Sequence, residues 1–128
     1  MTIREVSEKY EITQDTLRYY ERMGMIPPVT RNASGIRDYT EEDLAWVGLA
    51  KCMRAAGLPV EAMAEYVRLT QQGDSTIRDR LQLLQEQREE LLKKREQIDV
   101  MLNRLEQKIE RYETAVETGV LDWSYRKK

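Results

Sequence analysis

The chain contains no histidine, no phenylalanine and a single cysteine among its 128 residues. Without imidazole, and with one thiol, neither a Cys-His nor a Ser-His-Asp catalytic site can be assembled within one chain, and a thiolate- or imidazole-liganded zinc site is likewise excluded. The lone Cys52 cannot close an intrachain disulfide, so nothing points to an oxidising compartment. A long hydrophobic run is also missing: no apolar stretch approaches the roughly 20 residues of a membrane span, and the opening MTIREVSEKYEITQ is polar from its second residue. The expectation is a soluble, cytoplasmic protein that is not an enzyme and uses no cofactor, metal or membrane. A large excess of one charge is absent too. Twenty-one Lys and Arg against 23 Asp and Glu leave a net charge of −2, so any binding to nucleic acid must come from a local concentration of charge.

Proline is scarce and unevenly placed, at 27, 28 and 59 only, and every residue after Pro59 is free to be helical. Thr2-x-x-Glu5 is a capping box, and Ile3, Val6 and Tyr10 follow at helical spacing, which predicts a first helix over about 2–10. Thr13 caps a second, over about 14–23, stopped at Gly24 before Ile26-Pro27-Pro28. Two short helices joined by about three residues form a helix-turn-helix unit. Val29-Thr30-Arg31, Asn32-Ala33-Ser34-Gly35 and Ile36-Arg37-Asp38-Tyr39 then read as strand, turn and strand, a small β-hairpin wing. Thr40-Glu41-Glu42-Asp43 starts a third helix ending near Ala56-Gly57, and Pro59 opens a fourth to about 72.

From Ser75 to about Val116 the chain reads as a single helix without Gly or Pro. Positions 77, 81, 84, 88, 91, 95, 98, 102, 105, 109, 112 and 116 alternate steps of four and three. Ten of these twelve are Ile, Leu, Val or Tyr: Ile77, Leu81, Leu84, Leu91, Ile98, Leu102, Leu105, Ile109, Tyr112 and Val116. A head of 72 residues cannot cover a helix about 63 Å long, so the seam needs a partner helix. The expected fold is therefore dominated by α-helix: a winged helix-turn-helix head over 1–72, a coiled-coil dimerisation helix over 75–116, and a short tail over 117–128.

Asp15, Arg18, Tyr19 and Arg22 fall on one face of the second helix at i, i+3, i+4 and i+7, while Leu17 and Tyr20 point closer to the opposite side. Over residues 16–37 four Arg stand against the single Glu21, a local +3 on an acidic protein. Arg pairs with phosphate or bidentately with guanine, Gln14 and Thr16 near the helix start can reach base edges, and Tyr can donate to phosphate. Arg37 and Tyr39, on the wing, are placed to hold the DNA backbone.

The segments Thr16-Leu17-Arg18-Tyr19-Tyr20-Glu21, Gly24-Met25-Ile26-Pro27-Pro28, Gly35-Ile36-Arg37-Asp38-Tyr39 and Glu42-Asp43-Leu44 resemble the MerR family of bacterial transcription regulators. The resemblance runs through the head and into the long helix. It implies a homodimer joined by an antiparallel coiled coil, acting on double-stranded promoter DNA with RNA polymerase, where untwisting and bending the spacer brings two promoter elements into register. It also implies Arg18, Tyr19 and Tyr20 as recognition-helix contacts and Arg37 and Tyr39 as wing contacts. The charge pattern leaves strand orientation open, because in a parallel pair Lys94 would face Asp99 and Lys108 would face Glu113.

The cysteines that metal-sensing members carry around the dimer helix are absent, and only about twelve residues follow the seam, too few for the large ligand domain of drug-sensing members. Lys51-Cys52-Met53-Arg54-Ala55-Ala56-Gly57-Leu58 resembles instead the subgroup responding to aldehydes, nitric oxide and related thiol stress, which implies Cys52 as the sensor. Spacing alone favours another role: Ala45, Leu49, Cys52 and Ala56 share a helix face, where a lone Cys serves as a small apolar filler. The alternative function class is a protein-assembly module built on the coiled coil, without direct DNA readout.

Overall fold

The computed structural model describes residues 1–121. Five helices follow in order: α1 (Ile3–Tyr10), α2 (Gln14–Arg22), α3 (Glu41–Ala55), α4 (Val60–Gln71) and α5 (Ile77–Thr118), with one 3-10 turn at Asp74–Thr76. The helix starts sit where the hydroxyl-bearing residues put them. Thr2 and Thr40 each close a reciprocal capping box, with Glu5 and Asp43 respectively, and the Thr13 hydroxyl accepts the Thr16 N–H. Each cap satisfies an amide donor that has no partner inside its helix. Glu11 leaves α1 in the left-handed region at φ 54°, which makes the link to α2 short enough for a tight helix-turn-helix.

The chain divides into two units, Met1–Arg88 and Glu89–Lys128. In the first, Val6, Leu17, Met25, Ile26 and Val47 are the largest fully buried side chains, joined by Ala50, Leu58, Met63, Val67 and Leu69, so α1 to α4 share one core. A polar knot fixes the turn into α5. The buried Thr76 hydroxyl donates towards the Leu69 and Gly73 carbonyls at 2.6 and 2.8 Å, and Arg80 donates to Thr76 Oγ1 and the Gly73 carbonyl. Gly73, at φ 91° and ψ −166°, holds a backbone shape essentially reserved for glycine.

The expected hairpin is corrected to something smaller. Among the described residues there is no strand, and residues 29–39 form a turn closed by the single antiparallel bridge Arg31↔Arg37. Asp38 N–H donates to the Thr30 carbonyl and Asn32 N–H to the Ile36 carbonyl, while Asn32 Oδ1 accepts from Ser34 and Ile36. The ladder stops there because its next donors are engaged elsewhere or missing: Thr30 N–H and Thr40 N–H both meet the Asp43 carboxylate, and Pro28 has no N–H.

In α5 no residue is buried within a single chain. Ile77, Leu81, Leu84, Ile98, Leu102, Leu105, Ile109, Tyr112 and Val116 are all exposed, and Leu91 is half-buried. Near the C-terminal end Leu105, Ile109, Tyr112 and Val116, with Lys108 and Glu113 at the margin, line a shallow apolar cleft of about 420 Å³. The helix runs to Thr118, two residues past the expected end, so of the tail expected over 117–128 only Gly119, Val120 and Leu121 are described outside it, and 122–128 lie outside the described residues. No described helix is long and apolar enough to cross a membrane.

Candidate nucleic-acid interface

The second helix places its side chains in two sets. Leu17 and Tyr20 are buried against the core, while Arg18 and Arg22 are exposed and Gln14, Thr16 and Tyr19 are half-buried. Arg18 reaches back along the outer face, with Nη1 3.1 Å from Asp15 Oδ1 and Nη2 3.4 Å from Gln14 Oε1. The Arg22 guanidinium lies 5.5 Å from the centre of the Tyr19 ring. Thr16 Oγ1 accepts from the Thr13 hydroxyl at 2.8 Å, at the start of the helix. The stripe Gln14-Arg18-Tyr19-Arg22 is thus a connected polar surface. Its ion pair to Asp15 is exposed, and an exposed pair holds a guanidinium by no more than about 1 kcal/mol, so a base edge or phosphate can displace it.

Two of the expected contacts are largely withdrawn from the surface. Tyr20 is 7% exposed and Tyr39 2% exposed, so both rings pack into the core. The cause is registry. Tyr20 follows Leu17 at i+3 on the inner side of α2, and Tyr39 is drawn in where its N–H pairs with Met1. Burial pushes the pKa of both phenols up, and the Tyr39 hydroxyl is buried without a hydrogen-bond partner.

Arg37 is not free on the wing. Its Nε donates to Glu21 Oε1 at 2.8 Å, and the other Glu21 oxygen accepts Val29 N–H at 2.9 Å. Arg31, on the same loop, is exposed and donates to the Gly35 carbonyl across the turn. From α3, Asp43 Oδ2 accepts Thr30 N–H and Thr40 N–H. Burial raises the pKa of this carboxyl, and the hydrogen bonds from Thr40 and Thr30 outweigh that and bring it below the ordinary value. Sequence reasoning counted Glu21 as a mere subtraction from the local charge and Asp43 as a helix-start acid. A lone carboxylate in a basic stripe was the available signal for Glu21.

These features, a tight helix-turn-helix with a cationic outer stripe, an adjoining turn and a long helix with an uncovered apolar seam, match two known family descriptions. "MerR HTH family regulatory protein" matches residues 1–70 and "MerR, DNA binding" matches residues 44–108. The chain belongs to the MerR family. It is therefore similar to transcriptional regulators, not to enzymes. The HTH-type transcriptional regulator AdhR of Bacillus subtilis is 50% identical over 92 residues, which is 72% of this chain and 66% of AdhR, just short of two thirds of that relative. A MerR family transcriptional regulator from Listeria monocytogenes superposes with a TM-score of 0.88 at 42% identity, covering 93% of this chain and 90% of that one. HiNmlR, a MerR family regulator lacking the sensor domain and bound to promoter DNA, superposes with a TM-score of 0.82 at 31% identity, covering 94% and 95%.

Within this MerR chain Cys52 lies on α3 and is exposed. The filler role is corrected, because Ala45, Leu49 and Ala56 on the same face are exposed as well and form no core within one chain. The neighbouring cations are turned to backbone: Lys51 Nζ is 2.5 Å from the Tyr10 carbonyl oxygen and Arg54 Nη1 is 2.7 Å from that of Leu58. Among the described residues no cluster of three or more His, Cys, Asp or Glu is arranged to hold a metal ion.

Proposed function

We propose that the chain is a homodimeric regulator that grips promoter DNA through the outer stripe of α2, distorts it for RNA polymerase, and responds to electrophiles through Cys52. The observation carrying the DNA-binding face is the outward placement of Gln14, Thr16, Arg18, Tyr19 and Arg22 on one helix. Arg18 is the base-reading group. It is exposed, it begins in an easily exchanged ion pair, and a guanidinium presents the fork that guanine O6 and N7 accept.

The exposed seam of α5 supports dimerisation, because apolar side chains in that number are left in water by a lone chain. The dimer proposed is antiparallel. Pairing seam positions from opposite ends sets Ile77 by Val116, Leu84 by Ile109 and Leu91 by Leu102 of a second copy, uses the whole stripe, and brings Arg78 near Glu113. Cys52, exposed on an otherwise apolar face, is open to adduct formation. Its thiolate adds to an aldehyde carbonyl carbon, the carbonyl oxygen takes a proton from water, and the product is a hemithioacetal. A bulky adduct on that face alters whatever packs there, and overpacking a close contact costs about 1 to 3 kcal/mol, enough to shift a balance between two bend states of DNA.

Footprinting on the region upstream of the chain's own gene tests the reading. Protection of a spacer between two promoter elements, with hypersensitive bases at its centre, is expected, and absence of any protected duplex would remove the DNA-binding function.

A further inference from the structure

The tip of the 29–39 loop cannot orient itself. The loop has one bridge of its own; Val29 and Tyr39 anchor its two ends in the core, but between them the exposed tip, Ile36 included, buries no apolar face that would fix its angle. The Met1 backbone pairs with Asp38 and Tyr39 at the loop's exit, and two carboxylates reach in from the helices on either side. Glu21, on α2, takes the loop's entry through Val29 N–H and its exit through Arg37 Nε, one oxygen for each. Asp43, on α3, takes Thr30 N–H and the Thr40 N–H that follows the loop.

The Glu21–Arg37 pair is partly withdrawn from water, with the two side chains 14% and 23% exposed. Turning Arg37 outwards to a phosphate would leave the Glu21 carboxylate partly buried without its counter-charge, which is the costly way to break such a pair. Glu21 also stands on the helix that carries the cationic stripe, where a negative charge repels DNA. A carboxylate that did nothing there would be a pure penalty for binding.

We propose that Glu21 is a positioning residue that latches the 29–39 loop to α2, and that Arg37 serves DNA recognition through this latch, leaving Arg31 as the loop's phosphate-facing cation. The proposal rests on α2 being the DNA-binding face. The latch makes the recognition helix and the loop one surface, so that a groove contact by Arg18 and a backbone contact by Arg31 are made in fixed register. Orientation fixed before binding is entropy that the complex does not have to lose.

The probe is a duplex enriched by the parent protein from a random-sequence pool, with affinity followed by fluorescence anisotropy across a salt series. The variants are Glu21→Gln, Glu21→Ala, Arg37→Ala, Arg31→Ala, the double Glu21→Ala with Arg37→Ala, and the exchange Glu21→Arg with Arg37→Glu. The latch predicts that Glu21→Ala and Arg37→Ala each weaken binding about 10- to 150-fold, the scale of one charge-assisted bond, and that the double variant is no worse than either. Their salt slopes stay at the parent value, whereas Arg31→Ala lowers the slope by about 0.9. The exchange variant restores the ion pair alone, since a guanidinium at position 21 accepts nothing from Val29 N–H, and binds more tightly than either single variant but less tightly than the parent. Glu21→Gln, which keeps an acceptor for Val29, falls between Glu21→Ala and the parent and serves should Glu21→Ala fail to fold. Hydrogen exchange reads the latch without DNA: the Val29 amide is protected in the parent and loses protection in Glu21→Ala.

Binding by Glu21→Ala as tight as the parent or tighter, or additive effects with a slope reduced by about one in Arg37→Ala, would overturn the proposal and make Arg37 a phosphate ligand. If the parent enriches no duplex, the role in DNA recognition is overturned with the DNA-binding reading, and Val29 protection alone decides the latch.

Discussion

Replacing Ile98 with Ala tests the dimer at its most quantifiable point. Ile98 lies in the middle of the seam and is 65% exposed in the single chain, so about two-thirds of its side chain remains for a partner to cover. Ile→Ala removes three carbons, each worth about 0.8 kcal/mol on full burial, which comes to roughly 1.6 kcal/mol for the part a dimer would bury. A symmetric dimer loses it twice, about 3 kcal/mol, or roughly a hundredfold in the dissociation constant. Alanine is the better helix former by a few tenths of a kcal/mol, so the change cannot act by weakening the helix itself. Sedimentation velocity over a dilution series, or the concentration dependence of the melting temperature where the parent dimer is too tight to dissociate, reads the shift. Val100→Ala is the control, since Val100 is exposed on the same helix but off the seam. A parent that sediments as a monomer at micromolar concentration, or an Ile98 variant that dimerises as the parent does, would refute the reasoning.

Arg18→Ala should weaken binding of the selected duplex by about 1 to 3 kcal/mol and relax base preference at one position, with no loss of fold because its ion pair is exposed; unchanged affinity and preference with the dimer intact would count against the α2 face. A Leu84→Cys, Ile109→Cys double variant, made in a Cys52→Ser background, should cross-link between chains under mild oxidation while Leu84→Cys alone does not; cross-linking by Leu84→Cys alone indicates a parallel coil. Cys52→Ser should dimerise and bind DNA as the parent does, since an exposed substitution shifts stability by about 0.5 kcal/mol at most, yet lose induction by aldehydes in a reporter strain. The Asp43 carboxyl has its pKa lowered on folding, so it contributes stability above its ordinary pKa of 3.8 and loses that contribution as pH falls through the folded value. Asp43→Asn should therefore destabilise by about 1 to 3 kcal/mol at pH 7 and by progressively less towards pH 2, as measured by urea unfolding.

Features that depend on residues near one another in the chain were legible in the sequence. Thr2, Thr13 and Thr40 marked the helix starts correctly, because a cap is settled within four residues. The seam was equally plain, since a 3.5-residue repeat puts the same side chains on one line whatever the rest of the fold does. The outer placement of Arg18 and Arg22 followed from the period of α2 alone.

Tertiary structure decided the matters that turn on which distant group reaches a backbone donor first. The hairpin pattern of 29–39 was present in the sequence, but Asp43 on α3 engages the Thr30 and Thr40 amides that a longer ladder needs, and the wing is reduced to one bridge. The same competition binds Arg37 to Glu21, sixteen residues away. Tyr39 is in the core because its neighbouring backbone is tied to the N-terminal residue, which no local pattern encodes. Cys52 is the converse case. Its helix period correctly grouped it with Ala45, Leu49 and Ala56, yet whether such a face is covered depends on which elements fold over it, and within this chain none does. Periodicity assigns a side chain to a face of its helix, and only the packing of the other elements determines what that face meets.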